Sequence, residues 1–200
     1  MATTCVKALH LVSVVSLTTL MLDAAPLAAQ ATWGPSAWMG SSGAASLYKS
    51  LSCPTGKYAI GVQAHAGVWL HGLMLECAFL GPNGEHQNPD MVPGMIGDDD
   101  NGTTKQLRCS GGEGLVGFRG RSGWWIDRIE IACKRWNRAN GGTEGSIQWR
   151  GVAGGTGGEA YGPITCAGKY AVYRVEGNGL YANFPNPRTI GRYRFYCKAV

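Results

Sequence analysis

The residues of this chain that could do chemistry are few and widely spaced. Beyond the first thirty or so positions the histidines are His65, His71 and His86. There is no Gly-x-Ser-x-Gly and no His-Glu-x-x-His, so neither a serine nucleophile on a sharp turn nor a zinc-protease helix is encoded. Hydrolysing a glycosidic bond takes two carboxylates flanking it. Asp127 and Glu130 are three positions apart, and on a strand such residues face opposite sides. No catalytic residue is assigned, and a glycan-active hydrolase remains only as an alternative. The tryptophans are the stronger lead. Trp69 and Trp125 occupy matching places after Gly67 and Gly123, and Trp124 adds a neighbouring ring. An exposed ring beside polar loop groups can stack on the C–H face of a sugar. The competing reading makes Trp69 and Trp125 a pair of core plugs. Asp127, with His71 at the equivalent position, is read chiefly as satisfying turn N–H groups, and both belong to the tentative ligand set.

Two other polar clusters have plainer explanations. Asp98-Asp99-Asp100 has the hard oxygen atoms of a Ca²⁺ site, yet no glutamate follows at the spacing of a calcium-binding loop. It is read as a solvated acidic turn, and no metal or cofactor is expected. Asn101-Gly102-Thr103 is a glycosylation sequon, meaningful only where exported chains are glycosylated. The run Gly154-Gly155-Thr156-Gly157-Gly158-Glu159-Ala160-Tyr161 lacks the lysine and following helix of a phosphate-binding loop. Glycines there can simply turn corners.

The elements that must position these residues can be read from composition and spacing. The chain has 31 glycines, all beyond Ala31, 44% apolar residues and only 16% charged ones. Glycine in a helix interior costs about 1 kcal/mol relative to alanine, which excludes a helical bundle. Seven tryptophans and eight tyrosines can bury a core, which argues against disorder. A turn-rich all-β domain remains.

Cysteine spacing divides that domain. Setting aside Cys5, six remain: Cys53, Cys77, Cys109, Cys133, Cys166 and Cys197. Cys53 to Cys77 and Cys109 to Cys133 are each 24 residues; Cys53 to Cys109 is 56 and Cys109 to Cys166 is 57. That is a threefold internal repeat, with copies at about 40–80, 97–136 and 154–200. The first two copies align without a gap, matching Gly56, Gly61 and Gly67 to Gly112, Gly117 and Gly123. The third carries an insertion from Gly177 to Pro187. Ile60, Val62 and Ala64 alternate with Gly61, Gln63 and His65, the period of a strand with one buried face. Six cysteines allow fifteen pairings. The equal spans make pairing within each repeat the simplest: Cys53–Cys77, Cys109–Cys133 and Cys166–Cys197.

The N-terminus reads as an export signal. Lys7 precedes an apolar stretch from Ala8 to Leu22, and Ala29-Gln30-Ala31 fits the small-x-small cleavage rule. The expectation is a signal peptide over 1–31, then a single all-β domain over 32–200 that is secreted, or periplasmic or envelope-bound if bacterial. No transmembrane segment is expected.

At this point a family resemblance emerges. Cys53-Pro-x-Gly-x-Tyr-Ala-x-Gly61, closed by Gly72-Leu-x-Leu-x-Cys77, resembles the repeat of vitelline membrane outer layer proteins. Gly117, Gly123, Asp127, Ile129 and Cys133, within the stretch Val116 to Cys133, resemble secreted proteins of the jacalin-like, β-prism type. The resemblance implies three Greek-key sheets around a pseudo-threefold axis; a β-trefoil is the alternative with the same repeat number. It also implies that a glycine-rich loop near a sheet end offers backbone N–H groups to sugar hydroxyls. The tentative ligand set is therefore Trp69, His71, Trp124, Trp125, Asp127, Gly154, Gly155, Gly157, Gly158 and Tyr161. Two departures stand out: the long acidic loop of the egg-coat proteins is missing from the first two copies, and Arg192 stands where the first copy has Gly72.

The formal net charge is +5, with Arg119, Arg121, Arg128, Lys134, Arg135 and Arg138 clustered in and after the second copy. Outside the cell this favours extracellular glycans or anionic cell-surface polymers over nucleic acid. The leading expectation is a secreted, non-catalytic, lectin-like or coat protein; the alternative is a secreted structural or interaction protein without a sugar site.

Overall fold

The computed structural model describes residues 29–31, 34–41, 47–82, 84–99, 102–137, 139, 141–180 and 189–199. The segment 1–28 with Cys5, the sequon Asn101, Asp100 and residues 181–187 of the third-copy insertion lie outside the described residues. The chain enters through β1 (Ala29–Ala31), β2 (Gly34–Pro35), β3 (Met39–Gly40) and β4 (Leu47–Ser52). The first long hairpin is β5 (Tyr58–Ala66) and β6 (Leu70–Leu80), followed by β7 (His86–Met91), β8 (Ile96–Gly97) and β9 (Thr103–Arg108). The second is β10 (Glu113–Ser122) and β11 (Ile126–Asn137), followed by β12 (Gly142–Gly154) and β13 (Glu159–Cys166). The third, β14 (Tyr170–Leu180) and β15 (Thr189–Ala199), ends the described chain. No helix occurs among the described residues, and so none is long and apolar enough to cross a membrane.

These strands form three separate sheets. The first has the order β7-β6-β5-β9 with β8 also on β6, and the second β13-β10-β11-β12 with β1 parallel on the outside of β13. In both, three strands run as a meander and the fourth returns beside the first, which is the Greek key. The third sheet, β2-β15-β14-β4 with β3 also on β15, has the same plan assembled from both ends of the chain. The sequence copies and the sheets are therefore offset. β3 and β4 complete the third sheet rather than the first, and β13 closes the second sheet rather than opening the third. Three distinct sheets also remove the β-trefoil alternative, which needs a shared barrel.

The internal symmetry is visible in the defects as well as in the regular parts. Each long hairpin has a register shift near its start, at Ile60, Val116 and Tyr173, positions separated by the 56- and 57-residue repeat. An extra residue there bends the strand and increases its twist, so the strict alternation expected from Ile60 onward is interrupted at this point in each copy, and a second shift follows near each turn. The disulfides join Cys53 to Cys77, Cys109 to Cys133 and Cys166 to Cys197, with Cα separations of 5.6, 5.6 and 5.8 Å. The core sits where the three inner faces meet. Leu73 and Leu75 come from the first sheet, Phe118 and Ile131 from the second, Val175 and Phe195 from the third, all within 1% of full burial. Phe118 meets the Tyr193 ring edge-on at 5.6 Å and the Phe195 ring at 5.4 Å, geometries that favour aromatic packing.

Candidate functional site

The site grows out of one hairpin turn and one loop of the second sheet. At the β10–β11 turn, Gly123 N–H donates to the Trp125 carbonyl at 2.9 Å, closing a tight reversal that throws Trp124 outward. Trp124 is 78% exposed, the most exposed large apolar side chain among the described residues. Three residues further on, Asp127 turns inward and is only 6% exposed. Against it lies the β12–β13 loop. Gly155 N–H donates to the Asp127 carbonyl at 2.8 Å. A Cβ at Gly157 would lie 2.6 Å from Asp127 Oδ1, and one at Gly158 would lie 2.4 Å from Oδ2. Gly158 also has φ +63°, a conformation that side chains resist. Glycine is thus required for the loop to close over the carboxylate.

Burial pushes the Asp127 carboxyl up from its ordinary value, while a hydrogen bond from the Gly123 backbone and the charge of Arg121 pull it back in part. Arg121 has a second task. Its Nε donates to the Gly157 carbonyl at 2.9 Å and its Nη2 to the Gly158 carbonyl at 2.6 Å, so one guanidinium clamps the loop from outside. Above this base is an open pocket of about 410 Å³ lined by Ser41, Ser122, Gly123, Trp124, Gly158 and Glu159. An aromatic platform, hydroxyls, backbone and a carboxylate at one mouth are suited to an uncharged polyol with an apolar face.

The fold brings only part of the expected ligand set together. Trp124 and Gly158 line this pocket; the buried Asp127 lies beneath it, with Gly157 and Gly158 against its carboxylate and Gly154 and Gly155 on its backbone. Trp125 is half-buried behind the turn. Trp69 is 39% exposed on the neighbouring β5–β6 turn, so the pair of core plugs is overturned: the two rings sit at sheet ends, where the inner faces no longer meet. Tyr161 lies outside the apical pocket. Its hydroxyl donates to the Arg128 carbonyl and bonds the Tyr193 hydroxyl, each at 2.9 Å, and burial raises its pKa strongly. It ties two sheets together instead of facing the pocket. His71 lies buried in the first sheet, at the position corresponding to Asp127.

Ser41, Ser122, Glu159 and the clamp Arg121 were not expected. Arg121 was legible as one member of a basic cluster, and Ser41 sits in a Gly-Ser-rich stretch, but nothing local places either beside Asp127.

With this geometry in hand, comparison with known proteins is informative about the fold. No protein-family model matches the chain, and no curated protein does. Solved structures do match. The Malaysian banana lectin is 12% identical with a TM-score of 0.56, covering 84% of this chain and 99% of its own. The Calystegia sepium agglutinin is 14% identical with a TM-score of 0.56, covering 84% and 97%. A mannose-binding jacalin-related lectin from Ananas comosus is 11% identical with a TM-score of 0.56, covering 84% and 99%. The fold is a β-prism. Its structural neighbours are jacalin-related lectins, and at these identities the likeness concerns the fold.

Proposed function

We propose that this protein is a secreted, non-catalytic carbohydrate-binding protein whose sugar site is the apical pocket of the second sheet. The observation that carries the reading is the pairing of a 78% exposed Trp124 with the glycine-collared carboxylate of Asp127 at one mouth. Trp124 offers the apolar face of a ring to the sugar. Ser41, Ser122 and loop backbone offer hydrogen bonds to its hydroxyls, with Asp127 holding the loop in shape from beneath. The lectin fold of the neighbours and three disulfides, which persist in oxidising compartments, support a lectin-like role outside the cytoplasm.

A second reading has its own support. Asp127 is nearly buried and already takes a hydrogen bond from Gly123, so its task could be loop closure in a coat or interaction protein of the kind the vitelline-type repeat suggests. A glycan array on the chain lacking residues 1–31 decides between the two. Binding to defined saccharides, reduced about tenfold or more in Asp127→Ala, is expected. Silence across the array sinks the sugar site and leaves the structural reading.

A further inference from the structure

The outer face of the second sheet carries a cluster of charges of which the apical site uses only Arg121, as the clamp on its loop. Arg121 on β10 is paired directly with Arg128 on β11, and two rungs on, past Gly120 and Ile129, Arg119 pairs with Glu130. Like charges placed opposite each other on neighbouring strands are destabilising. The single carboxylate of this group, Glu130, is shared: it accepts from Arg119 Nε at 2.9 Å and Nη2 at 2.7 Å, and from Arg128 Nη2 at 2.7 Å. Arg121 directs its hydrogen bonds to the neutral carbonyls of Gly157 and Gly158. Arg128 Nε is buried with no hydrogen-bond partner among the described residues. Three guanidinium groups and one carboxylate thus line a groove of about 350 Å³, walled by Tyr161 and Pro163.

The groove adjoins the apical pocket. Ser122 and Glu159, which line the pocket, form one rung of the β10–β13 pair; Arg121 and Ala160, which line the groove, form the next. Rungs are about 3.3 Å apart, well within the length of one sugar unit. The two chambers differ in sign. Glu159 lines the pocket, with Asp127 buried beneath it, so an anion is repelled there; the groove has an excess of cations. The third sheet has a comparable arginine cluster, but its shared carboxylate is fully buried and none of its described arginine nitrogens is buried without a partner. There Glu176, 1% exposed, takes both Arg174 and Arg194 together with the Tyr196 hydroxyl, and Arg194 also lies over the Trp38 ring at 4.5 Å. Its arginines are satisfied within the fold.

We infer that the Arg119–Arg121–Arg128 groove is an anion subsite continuous with the apical pocket, taking the sulfate ester or carboxylate of an acidic saccharide. This rests on the proposed sugar site. The ligand class follows from the two signs: a neutral sugar unit on Trp124, linked to a unit bearing an anionic group that lies between Arg121 and Arg128.

The test uses the chain lacking residues 1–31 against matched oligosaccharides in neutral, O-sulfated and uronate forms, with inorganic sulfate as a separate titration. The expected result is about tenfold tighter binding of the acidic forms at low salt, with that preference falling steeply as ionic strength rises. Arg128→Gln and, independently, Arg119→Gln should each lower the acidic-to-neutral ratio several-fold, with thermal melting as the check on folding; two variants keep the test valid if one fails to fold. Equal binding of neutral and acidic forms overturns the subsite and leaves the sugar site standing. Inorganic sulfate binding as tightly as the sulfated saccharide overturns continuity with the pocket. No saccharide bound in any form overturns the sugar site and the subsite with it.

Discussion

The β10–β11 turn with the loop after β12, and the β5–β6 turn with the loop after β8, are one piece of backbone built twice with different contents. Gly123 N–H reaches the Trp125 carbonyl at 2.9 Å, and Gly67 N–H reaches that of Trp69 at 3.0 Å. Gly155 N–H donates to the carbonyl of Asp127 at 2.8 Å; Asp98 N–H donates to that of His71 at 2.9 Å. Gly154 and Gly97 press on those carbonyls, while Gly158 and Gly102 press on the backbone of Ser122 and Ala66. The side chains then diverge. One copy has an acid under a glycine loop, and the other has an imidazole under a loop that includes Asp98 and Asp99. The third sheet repeats the frame once more, Ser41 N–H donating to the Gly191 carbonyl at 3.1 Å, with no side chain at the acid's position. Symmetry therefore belongs to the backbone and its glycines, and recognition to the few side chains that break it.

The largest expected effects test the symmetric part. Opening Cys109–Cys133 or Cys53–Cys77 by double alanine substitution should cost about 2–5 kcal/mol in urea unfolding, and the two costs should agree within about 1 kcal/mol. Both bridges span 24 residues with Cα atoms 5.6 Å apart. A large inequality would break the equivalence of the two sheets.

Next come the glycines. A Cβ at Gly158 would meet Ser122 O at 2.6 Å, and one at Gly102 would meet Ala66 O at 2.7 Å, with φ +63° and +89°. Gly158→Ala and Gly102→Ala should each destabilise by about 1–3 kcal/mol. Only Gly158→Ala should also lose saccharide binding in titration calorimetry. Equal loss in both would move the site, or divide it between the two copies.

The exposed rings sharpen the comparison further. Trp124→Ala should weaken binding by about 1 kcal/mol or more. Its stability should change by no more than about 0.5 kcal/mol, because the ring is 78% exposed. Trp69→Ala should leave binding alone. A Trp69→Ala variant that binds as poorly as Trp124→Ala would assign the ligand to both turns.

The last comparison is a pH dependence of opposite sign at two acids. Burial raises the Asp127 carboxyl above its ordinary value despite Gly123 and Arg121. Its stabilising contribution is complete at low pH and is lost as pH rises through the folded-state pKa. Asp127→Asn should therefore gain on the parent when unfolding is compared at about pH 7 and about pH 3. Burial acts the same way on Glu176, yet hydrogen bonds from Tyr48, Tyr196 and Arg194 and the charge of Arg174 hold its pKa below the ordinary value. Its contribution is present at neutral pH and lost as pH falls through the folded-state pKa. Glu176→Gln should lose against the parent at about pH 7, by about 1–3 kcal/mol, and recover ground on acidification. Parallel shifts in the two variants would contradict the environments described for these acids.

Spacing alone determined much of this protein. Intervals of 24, 56 and 57 residues between cysteines implied three copies of one unit, and the pairing within each copy is the one the structure has. Alternating apolar residues marked the hairpins, because strand periodicity is a local property of the chain. Gly123-x-x-x-Asp127 and the Gly154–Gly158 run were both legible as candidate pieces. What only the tertiary structure decided is which pieces meet. That Arg121 clamps Gly157 and Gly158 across 36 and 37 positions depends on the return of β13 beside β10; that Ser41 reaches the Trp124 pocket and that Tyr161 turns inward to Tyr193 depend on how three sheets close around one axis. The exposure of Trp69 and Trp125 was undecidable for the same reason: period two says which side of a strand a ring lies on, while burial depends on where the facing sheets end.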